Sequence, residues 1–262
     1  MCSRDKGRAP LIRLVIATAT RWEFAAIRRA VPSPTRTRSW LRIRGVESWT
    51  PSLHVLVIQT GIGTANAKVA CRAIVETGSW DLLISSGFAG ALVPAKIGDL
   101  VIPLHVLTCS QAGDSGTACP AGSPHPFFEA AALQTAQELG QNVVQGPLLT
   151  VPHMVWQAVE KRALANQTGG VAVDMESAAI SQVAQERNIP FVAVRSVSDT
   201  WTEDLPLDLN VFRESCWGWL KGAGLVGTHP QMWRGFSRLK DQMRCASSTL
   251  TAFFSAFLRR VS

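Results

Sequence analysis

The sequence predicts an α/β fold, one domain built on a largely buried sheet, and three observations carry that reading. Short β-branched runs alternate with segments of helical periodicity along most of the chain. Glycine turns follow several of those runs. The stretch from Gly170 to Thr200, GVAVDMESAAISQVAQERNIPFVAVRSVSDT, reads as strand, helix, strand. The chain has 262 residues, 47% of them hydrophobic and 17% charged, so it can build a sizeable core and global disorder is excluded.

In order, residues 1–10 read as a loose arm and Leu11 to Ala17 as the first strand. Thr18-Ala19-Thr20 turns into a helix, Trp22 to Val31, that carries Glu23 in its first turn. A Pro/Ser/Thr/Arg loop, Pro32 to Arg38, leads to two strands, Trp40 to Val46 and His54 to Gln59. The turn TGIGTANA opens a helix, Ala65 to Thr77, stopped by Gly78. Asp81 to Ser85 is an apolar strand followed by Ser86-Gly87-Phe88-Ala89-Gly90, and Ile97 to Pro103 turns into another strand. Cys109 to Phe128 is rich in Gly, Ser and Pro and is expected to be an exposed loop. Phe128 to Leu139 reads as a helix, Gln145 to Val151 as a strand, and Ala158 to Gln167 as a helix with its charges on one side. Val171 to Val173 is a short strand, and Ser177 to Arg187 a helix with Ala178, Ile180, Val183 and Ala184 on its apolar face. Asn188 and Pro190 stop that helix, and Phe191 to Val194 begins the next buried strand. Leu205 to Val211 leads into Phe212 to Leu220, and the tail from His229 to Ser262 is helical in pattern. The division is a domain over residues 11–228 and a basic amphipathic tail over 229–262.

The net charge of +7 is concentrated in residues 1–50 and after Val211. No stripe of Lys and Arg interleaved with aromatics crosses the middle of the chain, so nucleic acid is set aside as a partner. Six cysteines without CxxC spacing, and five histidines that do not cluster with them, argue against zinc and against a disulfide framework. A reducing cytoplasm fits that usage. The basic N-terminus is followed by too short an apolar run for a signal peptide, and no stretch reaches the ~20 apolar residues of a membrane span.

The candidate chemistry lies in three carboxylates. Glu23, Glu176 and Asp199 each follow a separate strand, on the side where open α/β sheets bind ligands. Each alone is explained by helix capping or the helix dipole. As a set, with little Lys or Arg nearby in sequence, they are the groups a cleft would use as acid or base. The turn TGIGTANA lacks the third glycine of a dinucleotide fingerprint, so it is read as either a tight connection or a loop that contacts a ligand.

At this point the residues resemble a known family. VAVDMESAAISQVAQERNIPFVAVRSVSDT is similar to the signature half of the purine nucleoside phosphorylase and methylthioadenosine/S-adenosylhomocysteine nucleosidase superfamily. TGIGTANA, SSGFAGALVPAKIGDLVIP and TATRWEF resemble its upstream motifs, in order, from about Leu11 to about Thr200. The resemblance implies a twisted central mixed β-sheet flanked by helices and cleavage of an N-glycosidic bond in a purine nucleoside. It implies that Asp199, with Ser198 beside it, serves the purine N7, and that Glu176 holds the ribose hydroxyls with Met175 against the sugar. It assigns water activation to Glu23, and places Phe88, Met154 and Val155 near the base or sugar, with Gly61 in a loop touching the ligand. No metal or organic cofactor is implied, and homo-oligomers are.

Hydrolysis and phosphorolysis remain the branch point. A phosphorylase must hold phosphate, usually with Arg; Arg21, Arg42 and Arg44 are candidates that do not match the phosphorylase pattern, whereas Glu23 fits water activation. The reading is therefore hydrolysis, with phosphorolysis, and phosphate as co-substrate, the alternative. A non-catalytic nucleoside-binding protein would have lost an acid or base, yet Glu23, Glu176 and Asp199 are all present. EKRAL and TGGVAVDMESAAI, followed by a Pro/Leu segment and a basic, aromatic tail, resemble the hopanoid-associated nucleoside phosphorylase branch, and that resemblance implies removal of adenine from an adenosyl-lipid. In that light Trp233, Phe236, Phe253, Phe254 and Phe257, beside Lys and Arg, form either a face for peripheral membrane contact or a face that packs on the protein itself.

Overall fold

The structure is a computed structural model and describes residues 11–32, 36–40, 43–109, 118–205 and 230–262. Its first half runs β1 (Ile12–Thr18), α1 (Arg21–Ala30), β2 (Arg36–Trp40), β3 (Ile43–Trp49), β4 (Leu53–Gln59), α2 (Thr64–Val75) and β5 (Leu82–Ala91). Then come β6 (Leu100–Val101), β7 (His105–Thr108), β8 (Cys119–Gly122), α3 (Pro126–Glu138), β9 (Val143–Val144), β10 (Pro147–Thr150) and α4 (Ala158–Thr168). The chain closes with β11 (Ala172–Asp174), α5 (Ser177–Glu186), β12 (Phe191–Asp199) and α6 (Pro230–Arg260).

One mixed sheet joins these strands, and β5 is where it divides. Its first residues pair in parallel with β1, Leu14 to Leu82 through Ala17 to Ser85. Its last residues pair antiparallel with β11, Val173 to Gly90 and Ala172 to Ala91. Along its other edge β12 runs parallel from Phe191 against Leu83 to Val197 against Ala89, and an irregularity after Val197 sets Asp199 opposite Gly90. The ends of β11 and β12 therefore meet across one residue of β5. β4 extends the sheet beyond β1, and the antiparallel meander β2-β3-β4 forms that edge.

Alternation along the strands serves two layers of helices. Leu14 and Ile16 of β1 belong to a core shared with α1, α3 and α6, while Val15 and Ala17 face α2 and α5. The aromatic residues of α6 go into the first of these cores: Phe253, Phe254 and Phe257 are 0% exposed and pack on one another. Burial of each is worth roughly 1.5–3 kcal/mol. These three are thus unavailable to a membrane, and the face they form packs on the protein's own domain. Nothing is described for the side chains of Trp233 and Phe236. Among the described residues no helix is long and apolar enough to cross a membrane.

Several expectations change. The loop expected from Cys109 to Phe128 contains β8, which pairs antiparallel with β7 and buries Ala121. Pro and Gly in CPAG mask a strand at the sheet's edge, where a proline is tolerated. The strand expected from Trp40 to Val46 is divided, with β2 ending at Trp40 and β3 starting at Ile43, and β2 takes up the end of the expected Pro32–Arg38 loop. Phe212 to Leu220 and residues 1–10 lie outside the described residues.

Candidate functional site

Glu23 is fixed first by its own helix. Thr20 is the N-cap of α1, and its hydroxyl accepts from the Glu23 amide at 3.3 Å. In return Glu23 Oε2 accepts from the Thr20 amide at 2.6 Å, the Thr20 hydroxyl at 2.9 Å and the Ala19 amide at 3.0 Å. This is a capping box, satisfying amides that the first helical turn cannot. The other oxygen, Oε1, accepts from the Phe88 amide on β5 at 2.7 Å. Capping and siting are thus one arrangement: the cap holds a carboxylate against the strand that lines the cleft.

β11 ends at Asp174; Glu176 occupies the N-cap position of α5 without a side-chain capping bond, and Asp174 supplies the bond to the first turn instead. Its Oδ2 accepts from the Ser177 amide at 3.1 Å and its Oδ1 from the Thr150 hydroxyl at 2.6 Å. Arg195 of β12 pairs with Asp174 at 2.6 Å, both side chains being 1% exposed, and donates to the hydroxyls of Ser85 and Ser177 at 2.7 and 2.9 Å. With Asp174 doing the capping, Glu176 points across to the glycine turn and accepts from the Gly63 amide at 2.7 Å. Burial pushes the Glu176 carboxyl up to about 8, and the charge of Asp174 adds to the rise; Arg195 and the Gly63 amide pull the other way.

Asp199 ends β12. Its Oδ1 accepts from the Ser198 hydroxyl at 2.7 Å, and its Oδ2 is paired with the ammonium of Lys161 from α4. Lys161 is 0% exposed and also donates to the carbonyls of Thr200 at 2.9 Å and Glu203 at 3.3 Å. The expectation that little Lys or Arg stands near the carboxylates is overturned in space: Lys161 and Arg195 both arrive buried beneath the site.

One cleft collects these groups. Glu23, Phe88, Met154, Val155, Met175, Glu176, Ser198 and Asp199 all line it. Gly61 does not; its amide donates to the Ala19 carbonyl at 3.2 Å, and Ile62 takes the place at the wall. Gly61 and Gly63 adopt φ of 87° and 93°, a region that glycine enters without strain, and so bring the Gly63 amide to Glu176. The glycines of SSGFAG have a second use. A Cβ on Gly87 would run into the Glu23 carboxylate and the Arg195 guanidinium, and one on Gly90 would stand 2.9 Å from Asp199 Oδ2. The space they leave is filled by the site's own charged groups.

Sequence reasoning missed Lys161, Arg195, Asp174 and three apolar residues of the mouth, Leu205, Leu239 and Met243. The last two come from α6. Among the described residues no Lys or Arg lines the cleft. Arg21 instead lies over the Trp22 ring and Arg44 over the Phe24 ring, at 5.5 and 5.3 Å, while Arg42 lies outside the described residues. Among the described residues no group of three or more His, Cys, Asp and Glu gathers to hold a metal ion.

Residues 13–215 match the phosphorylase superfamily. The 5′-methylthioadenosine/S-adenosylhomocysteine nucleosidase of Shewanella halifaxensis is 29% identical over 215 residues, which are 77% of this chain and 92% of that protein. The Helicobacter pylori nucleosidase of the same name, solved with a pyrrolidine-based inhibitor, superposes with a TM-score of 0.75 at 16% identity, over 95% of this chain and 99% of that one. The Colwellia psychrerythraea enzyme, solved with adenine, gives a TM-score of 0.72 at 19% identity, over 97% and 98%. At these identities the two structures establish a shared fold, the mixed sheet between helical layers described above.

Proposed function

Because this chain belongs to the phosphorylase superfamily, we propose that it cleaves the N-glycosidic bond of an adenine nucleoside by hydrolysis. The observation that carries the reading is the convergence of Glu23, Glu176 and Asp199 from three strand ends on one cleft, each less than 9% exposed. As the C1′–N9 bond breaks, positive charge builds on the ribose and negative charge on the base. Asp199, steadied by Ser198, supplies the proton that N7 takes up. Glu176 grips the ribose hydroxyls, in contacts that strengthen as the oxocarbenium ion forms, with Met175 against the sugar. Glu23 accepts the proton of the attacking water; its capping box and the Phe88 amide hold it for that task. Phe88, Met154 and Val155 flank base and sugar.

Water is favoured over phosphate as the nucleophile because, among the described residues, the cleft wall carries no Lys or Arg to hold a phosphate. The reaction calls for neither metal nor organic cofactor. The apolar mouth of Leu205, Leu239 and Met243 suits an apolar 5′ substituent, as in methylthioadenosine. Residues 11–228 form the catalytic domain in this reading, with 229–262 as an arm that seals its core. A second copy of the chain is the partner that the family resemblance suggests, and the thiols of Cys71 and Cys245 suit a cytoplasmic setting.

The test is adenine release from methylthioadenosine, 5′-deoxyadenosine and adenosine, with and without phosphate. Release without phosphate that is lost in Asp199→Asn is the expected result. Release only with phosphate would move the enzyme to phosphorolysis and remove Glu23 from its role. No release from any of the three would remove the catalytic reading for small nucleosides.

A further inference from the structure

The ammonium of Lys161 is buried and bonded to Asp199, yet the mechanism above gives it no part. It sits on α4 at a position that faces inward with Ala158 and Leu164, and it is 0% exposed. Its three hydrogens go to Asp199 Oδ2, the Thr200 carbonyl and the Glu203 carbonyl, which exhausts its donors. A buried lysine is a costly way to close a helix on a strand, since an apolar side chain of the same length does so without desolvating a charge. The same junction already has other ties: the Ala158 amide donates to Asp204 at 2.7 Å and the Leu205 amide to the Trp156 carbonyl at 2.8 Å.

Building on the hydrolytic reading, we propose that the acid serving the leaving base is the Lys161–Asp199 pair, with Lys161 a positioning residue that also restores the proton Asp199 gives up. In the resting pair both carboxylate oxygens accept hydrogen bonds, one from Ser198 and one from Lys161. When the C1′–N9 bond breaks, its electrons pass to the base. The proton that N7 takes up passes through Asp199 as Lys161 gives one up to it, and Lys161 is left as the amine. Water reprotonates it after the base departs, and nothing is oxidised or reduced. Lysine suits this and arginine does not, because a guanidinium keeps its proton.

Other charged groups surround the pair. Glu160 is paired with His153, Asp204 caps α4, the Glu203 carboxylate is held by Arg238 and Gln242 of α6, and Glu176 and Asp174 with Arg195 lie across the cleft. The measurement is therefore a ratio that cancels those shared groups: kcat/KM for methylthioadenosine in Lys161→Met over that of the unaltered enzyme, from pH 5 to pH 9. We expect the ratio to approach one at pH 5 and to fall as pH rises, by about tenfold per pH unit at its steepest, the slope of one lost proton. A ratio that is flat with pH, whether near one or uniformly low, overturns the proposal and leaves Lys161 a structural tie. Should Lys161→Met not fold, Lys161→Arg carries the test, since it keeps the charge and withholds the proton; the same falling ratio is expected, and a flat one overturns it equally. If the unaltered enzyme releases no adenine at any pH, the hydrolytic reading itself fails and this proposal with it, an outcome distinct from a flat ratio.

Discussion

Glu23 and Glu176 are the same side chain at the start of two helices in one cleft, exposed by 4% and 6%, yet their surroundings differ sharply. Glu23 receives three backbone amides and a hydroxyl. Glu176 receives the Gly63 amide and faces another carboxylate, Asp174, and its carboxyl is pushed up to about 8. Two carboxyls equally buried thus differ in the number of donors aimed at them. The difference also fits the proposed work. A base for water is best held by many donors, and a group that grips hydroxyls tolerates a proton.

The sharpest test of that contrast is Glu23→Gln, which keeps an acceptor for the Phe88 amide but removes the base. We expect kcat/KM for adenine release to fall by about a thousandfold, in the range of a lost general base. Loss of less than tenfold would break the assignment. Gly87→Ala leaves Glu23 in the chain but puts a methyl group where its carboxylate and Arg195 lie. A loss of about a hundredfold in kcat is expected, with a smaller change in KM, because the base is displaced and the sugar contacts remain.

Glu176 gives a prediction of stability with a definite sign. The folded protein keeps a proton on Glu176 that the unfolded chain releases once pH exceeds the ordinary value of 4.5. Stability from this group is complete below about 4.5 and is lost as pH rises through about 8. Melting temperatures of the unaltered protein should fall between pH 5 and pH 9, and Glu176→Gln should flatten that fall and melt higher at pH 9, by the equivalent of a few kcal/mol at most, order about 2. An identical decline in both proteins would show that the contrast with Glu23 is not one of charge. The smallest effect is expected of Thr20→Ala, which removes one donor and one acceptor of the capping box at a cost of about 1 kcal/mol. A chemical denaturation curve reads that directly, and activity should fall far less than in Glu23→Gln.

Much of this was legible in the chain itself. Glu23, Glu176 and Asp199 each follow a strand, so periodicity alone placed them at one edge of the sheet, and the paired motifs named the fold. What escaped has physical reasons. Lys161 falls on the inward face of α4 by its spacing from Ala158 and Leu164, a signal that is present, but a helix with its charges on one side does not single it out, and its partner stands 38 residues away in sequence. Arg195 interrupts an apolar strand, FVAVRSVSD, which a buried strand tolerates only when a counter-charge waits beneath. Its counter-charge, Asp174, ends a different strand, β11, so no local pattern joins the two. The strand β8 was hidden by a proline and a glycine whose edge position no local pattern reveals. Leu239 and Met243 reach the cleft only because α6 returns across the molecule, a fact of tertiary structure with no local trace.

That returning helix has a practical consequence. α6 presents Leu239 and Met243 to the cleft mouth and Phe253, Phe254 and Phe257 to the core, two stations on one rod about 20–25 Å apart at 1.5 Å per residue. An engineer who wishes to retune the mouth for a bulkier or more polar group can vary the outer turns without disturbing the inner ones. Cutting the rod short at its C-terminal end would take Phe253, Phe254 and Phe257 out of the core and leave Leu239 and Met243 without their anchor.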